Sequence, residues 1–339
     1  MLRARALSLV FLVVPIGCTD GAIARPAFVL NGVASTNVGI VAIENPDELC
    51  SGYLIAPNLV LTARHCVSMV GGAGTTTACS PVTQADGTTL QPATPVSDYD
   101  ASVIHVYPSD RVPFIGGGIA VAEVIVLPDS RTQPLCGRDV ALVRLVTPIG
   151  GATIIAPRLD GPPIVGEPLT VVGYGQTGGG NPDTAGTRLE VAGSSPISIG
   201  VTMDASGVTR TSENEWVIDT GPCSGDSGSP AIDANGLSVG VMSRGRGSVC
   251  TSMVYERVDP HADWLRASTL AAAATAGIAP PTWAAPMPDA GALDGGADGG
   301  ASSPTPSGGC AVGHVRAAPS AWAFAAIAMF AARARRRRH

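Results

Sequence analysis

Short apolar runs recur along the chain between turn-forming residues. They fall at Val38 to Ile43, Gly52 to Ile55, Leu59 to Thr62, Val121 to Leu127, Val140 to Leu145, Leu169 to Tyr174, Trp216 to Ile218 and Leu237 to Met242. Each is strand-length, rich in Val and Ile, and bounded by Gly, Pro, Asn or Asp, which is the pattern of half-buried and buried strands. Asp233-Ala234-Asn235-Gly236 reads as a hairpin turn between two of them. One helical pattern appears, at Asp259 to Ala273, where Trp264, Leu265 and Leu270 suggest a closing helix. The expected fold is therefore all-β with one closing helix, and the pattern alone leaves sandwich and barrel open.

The boundaries follow from changes in this pattern. Residues 29–275 hold the strands and the helix. Residues 276–309 are dominated by Pro, Gly, Ala, Ser and Asp, as in Gly295-Gly296-Ala297-Asp298-Gly299-Gly300. Such a segment buries too little apolar surface to order itself and reads as a flexible linker. Residues 1–24 read as a secretory signal: Arg3 and Arg5, then an apolar stretch from Ala6 to Ile16 too short to span a bilayer. Cleavage after Ala22-Ile23-Ala24 would start the chain at Arg25. In a second reading, Gly17-Cys18 ends a bacterial lipobox and Cys18 is acylated.

Composition agrees with a turn-rich β protein that leaves the cell. Of 339 residues, 45% are hydrophobic and only 14% charged, with 42 Gly and 28 Pro. A net charge of −6 argues against nucleic acid as a partner. Eight cysteines stand at 18, 50, 66, 79, 136, 223, 250 and 310. Export permits disulfides, and the six between 50 and 250 can pair in fifteen ways. The cysteines lack paired short spacings and the histidines do not cluster, so no metal site and no cofactor is expected.

Three segments carry candidate chemistry: Thr62-Ala63-Arg64-His65-Cys66, Asp139-Val140-Ala141-Leu142-Val143 and Gly225-Asp226-Ser227-Gly228-Ser229-Pro230. A serine hydroxyl is a poor nucleophile until a base takes its proton and a third group orients that base. His65 ends an apolar strand, Asp139 opens another, and Ser227 sits in a glycine-flanked turn. The N–H groups of Gly225 and Ser227 can both point at an oxyanion there. Rival groups fit less well. His105 alternates within a strand pattern, and Asp98, Asp100 and Asp110 lie in a polar stretch that reads as surface.

Together these segments resemble the chymotrypsin (trypsin-like) family of serine endopeptidases. The resemblance implies two antiparallel six-stranded barrels with a site between them, a His65-Asp139-Ser227 triad, an oxyanion hole from Gly225 and Ser227, and a polypeptide substrate taken by a monomer. It implies bridges Cys50–Cys66 and Cys223–Cys250, with Cys79 and Cys136 remaining as a third pair. The 74 residues from His65 to Asp139 exceed the family's usual gap. Met69 to Gly118 is read as holding an insertion. Val29-Leu30-Asn31-Gly32 resembles the family's activation sequence, in which the freed α-amino group of Val29 would pair with Asp226. Phe28 precedes it, so an activator of basic specificity would not cut there.

Substrate preference departs from the trypsin type. Gly221 stands where trypsin-type members carry the aspartate at the base of the pocket. Ser243-Arg244-Gly245 matches the wall segment that pairs with substrate, with Arg244 in place of tryptophan. Met253 stands where a small residue usually opens the pocket. The expectation is a narrowed apolar pocket for an uncharged side chain. Gly308-Gly309-Cys310, the apolar stretch Ala317 to Ala332 and the arginines of 333–338 resemble the C-terminal sorting signal of myxobacterial surface proteins. Residues 310–339 would then hold the protein at the cell surface. A non-catalytic binding relative on the same scaffold is the alternative.

Overall fold

The computed structural model describes residues 32–113, 117–177, 184–246 and 250–285. All of them belong to a compact unit ending at Pro286. The expected signal segment with Cys18, the activation residue Val29, and the tail with Cys310 lie outside the described residues.

The fold is mostly β with a closing helix, as the apolar runs predict. The first half is a closed barrel of six strands. Around the ring they are Ile40–Glu44, Leu49–Ala56, Leu59–Thr62, Ala141–Leu145, Ile119–Val126 and His105–Tyr107, which pairs back with the first. All pairings are antiparallel. Ile40 to Ile43, Tyr53 to Ala56 and Leu59 to Leu61 are all fully buried. Every residue of these runs is covered, so their patterns are continuous rather than alternating. Each such side chain contributes about 1.5–3 kcal/mol on leaving water.

The second half is a sheet of eight strands where six were expected. Its order is Val33–Ala34, Leu189–Ser194, Leu169–Gly173, Pro230–Ile232, Ser238–Arg246, Thr251–Arg257, Glu215–Thr220 and Pro196–Ile199. Two features account for the difference. Val33–Ala34 adds a short edge from the preceding segment. Ser195 alone separates Leu189–Ser194, second in the order, from Pro196–Ile199, the last, so one bent strand is divided between the two sides of the sheet. Because those two strands join through Ser195, the sheet curls back on itself and is barrel-like. The turn at Asp233 to Gly236 does connect two antiparallel strands, with Gly236 at φ 79° and its N–H on the Asp233 carbonyl at 3.0 Å.

The expected insertion is ordered by its own small sheets. Ser68–Val70 pairs with Pro95–Asp98, and Thr75–Thr76, Thr89–Pro92 and Val82–Thr83 form a second set. Cys79–Cys136 ties it to the segment before Asp139. Cys50–Cys66 and Cys223–Cys250 are the other two bridges. The closing helix, Ala262–Ala276, ends at Gly277 in the left-handed conformation, φ 65°. The folded chain continues to 285, into the stretch whose composition reads as linker. Trp283 donates its indole N–H to the Ile55 carbonyl at 2.9 Å, and Ala284 is buried.

Candidate active site

The register of one strand pair brings the first two candidates together. Ala141 lies opposite Thr62 in an antiparallel pair. Asp139, just before one strand, and His65, just after the other, therefore emerge at the same end of the barrel. His65 sits in the 3-10 turn Arg64–Val67 that finishes the strand. Its backbone N–H donates to Asp139 Oδ1 at 3.0 Å, and its ring Nδ1 lies 2.9 Å from Oδ2. Ser243 Oγ donates to the same Oδ2 at 2.6 Å.

These contacts set the charges. Burial pushes the Asp139 carboxyl up, but the His65 cation and the hydrogen bonds from His65 and Ser243 outweigh it and hold the group below the usual range. Burial pulls His65 down, and the charge and hydrogen bond of Asp139 overcome that and raise it. Carboxylate and imidazole thus stabilise each other's charged forms.

Ser227 reaches this place through the turn that carries it. Gly225 and Gly228 have φ of 96° and 86°, a region closed to most side chains. Gly228 is also pressed against the first barrel. A Cβ there would stand 2.1 Å from Thr62 Oγ1 and 2.2 Å from the Ser51 carbonyl. The Ser51 N–H donates to the Ser227 carbonyl at 2.7 Å, and Ser51 Oγ to the Gly225 carbonyl at 2.8 Å. Ser51, absent from the sequence reading, thus ties the serine turn to the barrel bearing His65. The N–H groups of Gly225 and Ser227 have no hydrogen-bond partner among the described residues.

His65, Asp139, Ser227, Ser243 and Arg244 line one cavity of about 490 Å³. Val70, Ala78, Pro92 and Ala93 from the insertion and Leu135 supply its apolar wall. Within the cavity no hydrogen bond joins the Ser227 hydroxyl to the His65 ring among the described contacts. Unliganded sites of this kind often hold that contact long, and substrate tightens it.

A family model described as Trypsin matches residues 34–265. The chain belongs to the trypsin family. It is 24% identical to Trypsin Blo t 3 of Blomia tropicalis, over 67% of this chain and 79% of that one. It is 27% identical to Snake venom serine proteinase 12 of Crotalus adamanteus, over 67% and 80%. It is also similar to the Snake venom serine protease homolog KN4 of Trimeresurus stejnegeri, 32% over 148 residues, 40% of this chain and 56% of that one.

The residues expected to recognise substrate in this trypsin-family chain are distributed unevenly. Ser243 and Arg244 line the cavity with His65. Gly245 lines a neighbouring cavity of about 240 Å³, again with Arg244. Gly221 is buried, with φ 134°. Met253 is buried in a second core with Trp216 and Ile218. Its sulfur crowds Gly245 so closely that a Cβ there would stand 2.1 Å away. Among the rivals, Asp98 pairs with Arg64 and Arg131, Asp100 accepts from the Ser102 N–H, and His105 sits in the strand opposite Ala120 and Glu44.

Two further buried residues, besides Ser51, have partners the sequence did not show. Glu215, fully buried, pairs with Arg244. Arg64, 1% exposed, pairs with Asp98 at its turn beside His65. A charged residue directly beside the apolar run Trp216 to Ile218 was the available signal for the first.

Proposed function

We propose that this trypsin-family chain is an exported serine endopeptidase that cleaves polypeptides through an acyl-enzyme. The observation that carries the reading is the pairing of His65 with Asp139 beside Ser227 on one cavity, next to two free backbone N–H groups. In this reading Ser227 Oγ attacks the scissile carbonyl as His65 Nε2 takes its proton. Asp139 holds the ring in the tautomer that makes this possible and stabilises the imidazolium. The Gly225 and Ser227 N–H groups receive the oxyanion. Losing one such donor costs about 10²–10³ in rate. His65 then gives its proton to the leaving amine, and water, activated by the same imidazole, releases the acid.

Gly221, in place of a carboxylate, and Met253, packed on Gly245, favour cleavage after an uncharged side chain of modest size. Digestion of a mixed peptide library by the purified protein tests this, with Ser227→Ala as control. Cleavage after small or medium uncharged residues is expected. Turnover confined to arginine would contradict the assignment of Gly221. The binding-scaffold alternative draws on the open Ser227–His65 contact and predicts no cleavage by any form of the protein.

Activation through Val29 is part of the same proposal, and Asp226 is what supports it. The carboxylate is fully buried, and among the described residues its side chain accepts only from the Gly175 N–H at 2.7 Å and the Cys223 N–H at 2.8 Å. A buried charge without a cation is costly, and a freed α-amino group would supply one. Burial pushes the Asp226 carboxyl up to about 7, against the hydrogen bonds from Cys223 and Gly175. The folded chain then keeps a proton that the unfolded chain loses above about pH 4. Stability should fall as pH rises from about 4 to 7, by about 4 kcal/mol for this group. Urea unfolding at pH 5 and pH 8 checks it. Asp226→Asn should remove this part of the decline in the uncut chain, and cutting at Val29 should do the same. Equal pH dependence in wild type and Asp226→Asn would contradict it.

Export through residues 1–24 and surface attachment through Cys18 or the 310–339 segment belong to the proposal. Three disulfides agree with an oxidising compartment.

A further inference from the structure

Behind Asp139 lies an ion pair in an unusual place. Glu215 is fully buried and the Arg244 side chain is only 14% exposed. Arg244 Nη1 donates to Glu215 Oε1, and Nη2 donates to Oε2 at 3.0 Å and to the Arg210 carbonyl at 2.9 Å. Two links run from this pair to Asp139. Arg244 Nη1 donates to Ser243 Oγ at 3.2 Å, and that hydroxyl gives its one proton to Asp139 Oδ2 at 2.6 Å. On the other side, the Gly137 N–H donates to Glu215 Oε1 at 3.1 Å, two residues before Asp139. Glu215 Oε2 also takes the Ser212 N–H at 2.8 Å, which fixes the carboxylate from a third element.

We propose that Arg244 and Glu215 form a buried positioning pair that holds Asp139 against His65 through Ser243 and the Gly137 turn; this rests on the triad reading above. The physical case has two parts. A buried ion pair cannot slide without stranding a charge, so it is a stiff anchor for whatever bonds to it. A cationic donor on Ser243 Oγ also polarises that hydroxyl and strengthens what it donates to Asp139. Neither residue touches the cavity's reacting atoms as a proton carrier. Their effect passes through Asp139, so their loss should appear in the chemical step and in the His65 titration.

His65 faces Asp139, Glu48 and Arg244, with Asp47 on the same cavity. Glu256, bonded to His261 Nε2 at 3.0 Å, lies behind Asp139. A charge-neutral exchange of the pair is therefore the clean probe. Arg244→Met with Glu215→Gln removes one charge of each sign and keeps similar volume, at the expense of one of the two backbone N–H bonds that Glu215 accepts from Gly137 and Ser212. Arg244→Lys keeps the cation but loses the fork.

The test is an NMR titration of the His65 ring in the folded full chain, beside kcat and KM on a peptide substrate. Loss of the Arg244 cation alone would raise the His65 midpoint, so a net fall of about one pH unit in the double variant is the signature of a loosened Asp139. The same loosening should also lower kcat about tenfold. Arg244→Lys should give a smaller change in the same directions, and it carries the test alone if the double variant does not fold. A folded variant with an unmoved His65 midpoint and unchanged kcat overturns the proposal and leaves the protease reading standing. A midpoint that moves in a chain showing no Ser227-dependent hydrolysis supports the positioning pair and sinks the protease reading instead.

Discussion

Replacing Ser227 by alanine is expected to lower turnover by about 10⁶ while leaving the fold and peptide binding in place. The side chain is half-exposed, and its hydroxyl makes no hydrogen bond among the described residues. Its removal therefore leaves no buried group unsatisfied and opens no core cavity. What disappears is the proposed nucleophile on the cavity that His65 lines. His65→Ala should cost about as much, and the two changes together little more than either alone, because they serve one step. Steady-state hydrolysis of a peptide amide, with thermal melts to confirm folding, measures both. Additive losses in the double variant would mean that the two residues do not share a step.

Asp139→Asn is expected to lower turnover by about 10⁴. The reason lies in how Asp139 is occupied. Oδ1 accepts the His65 backbone N–H, and Oδ2 accepts from the His65 ring and from Ser243. A carboxylate can accept all three bonds. An amide must turn its NH₂ toward one side, where donors already stand. If it faces the ring, Nδ1 must become the acceptor and the proton moves to Nε2, the atom that should receive a proton from Ser227. The lost negative charge also removes the main influence that raises His65. The His65 titration should therefore move to lower pH, and the acid limb of kcat/KM with it. A variant that retains both the rate and the limb would show that Asp139 does not orient His65.

Much of this was readable from the chain because the signals were local. The run Leu59 to Thr62 and the run Ala141 to Leu145 are strands by pattern. Their pairing delivers His65 and Asp139 to one end without any further information. Gly225 and Gly228 likewise mark a turn whose backbone few other residues could adopt. Cys50–Cys66 and Cys223–Cys250 are the bridges the family resemblance implies, and Cys79 and Cys136, the two left over, pair with each other.

What the sequence left hidden depends on contacts between distant residues. Arg244 reads as an odd substitution in a wall segment. Only folding shows that Glu215, two strands away in the sheet, neutralises it. Arg64 reads only as one position of the histidine segment, and folding shows it buried against Asp98 from the insertion. Met253 reads as a residue of the pocket, and only folding shows that it also packs in a core with Trp216 and Ile218 while its sulfur crowds Gly245. Trp283 lies in a stretch whose Pro and Ala content signals a linker, and a single indole with a carbonyl partner on the barrel is enough to draw the chain down. The second barrel's strand count was obscured by a bend at Ser195, where Gly193-Ser194-Ser195-Pro196 carries turn residues but the chain passes from one strand directly into the next.

The most direct measurement is the site of reaction with a fluorophosphonate, read by mass spectrometry on the protein after cleavage at Val29. The account predicts one adduct, on Ser227, that is lost in His65→Ala although the fold is intact. An intact, cleaved protein that takes no adduct, or takes it on another serine, would contradict the claim that residues 65, 139 and 227 act as one catalytic unit.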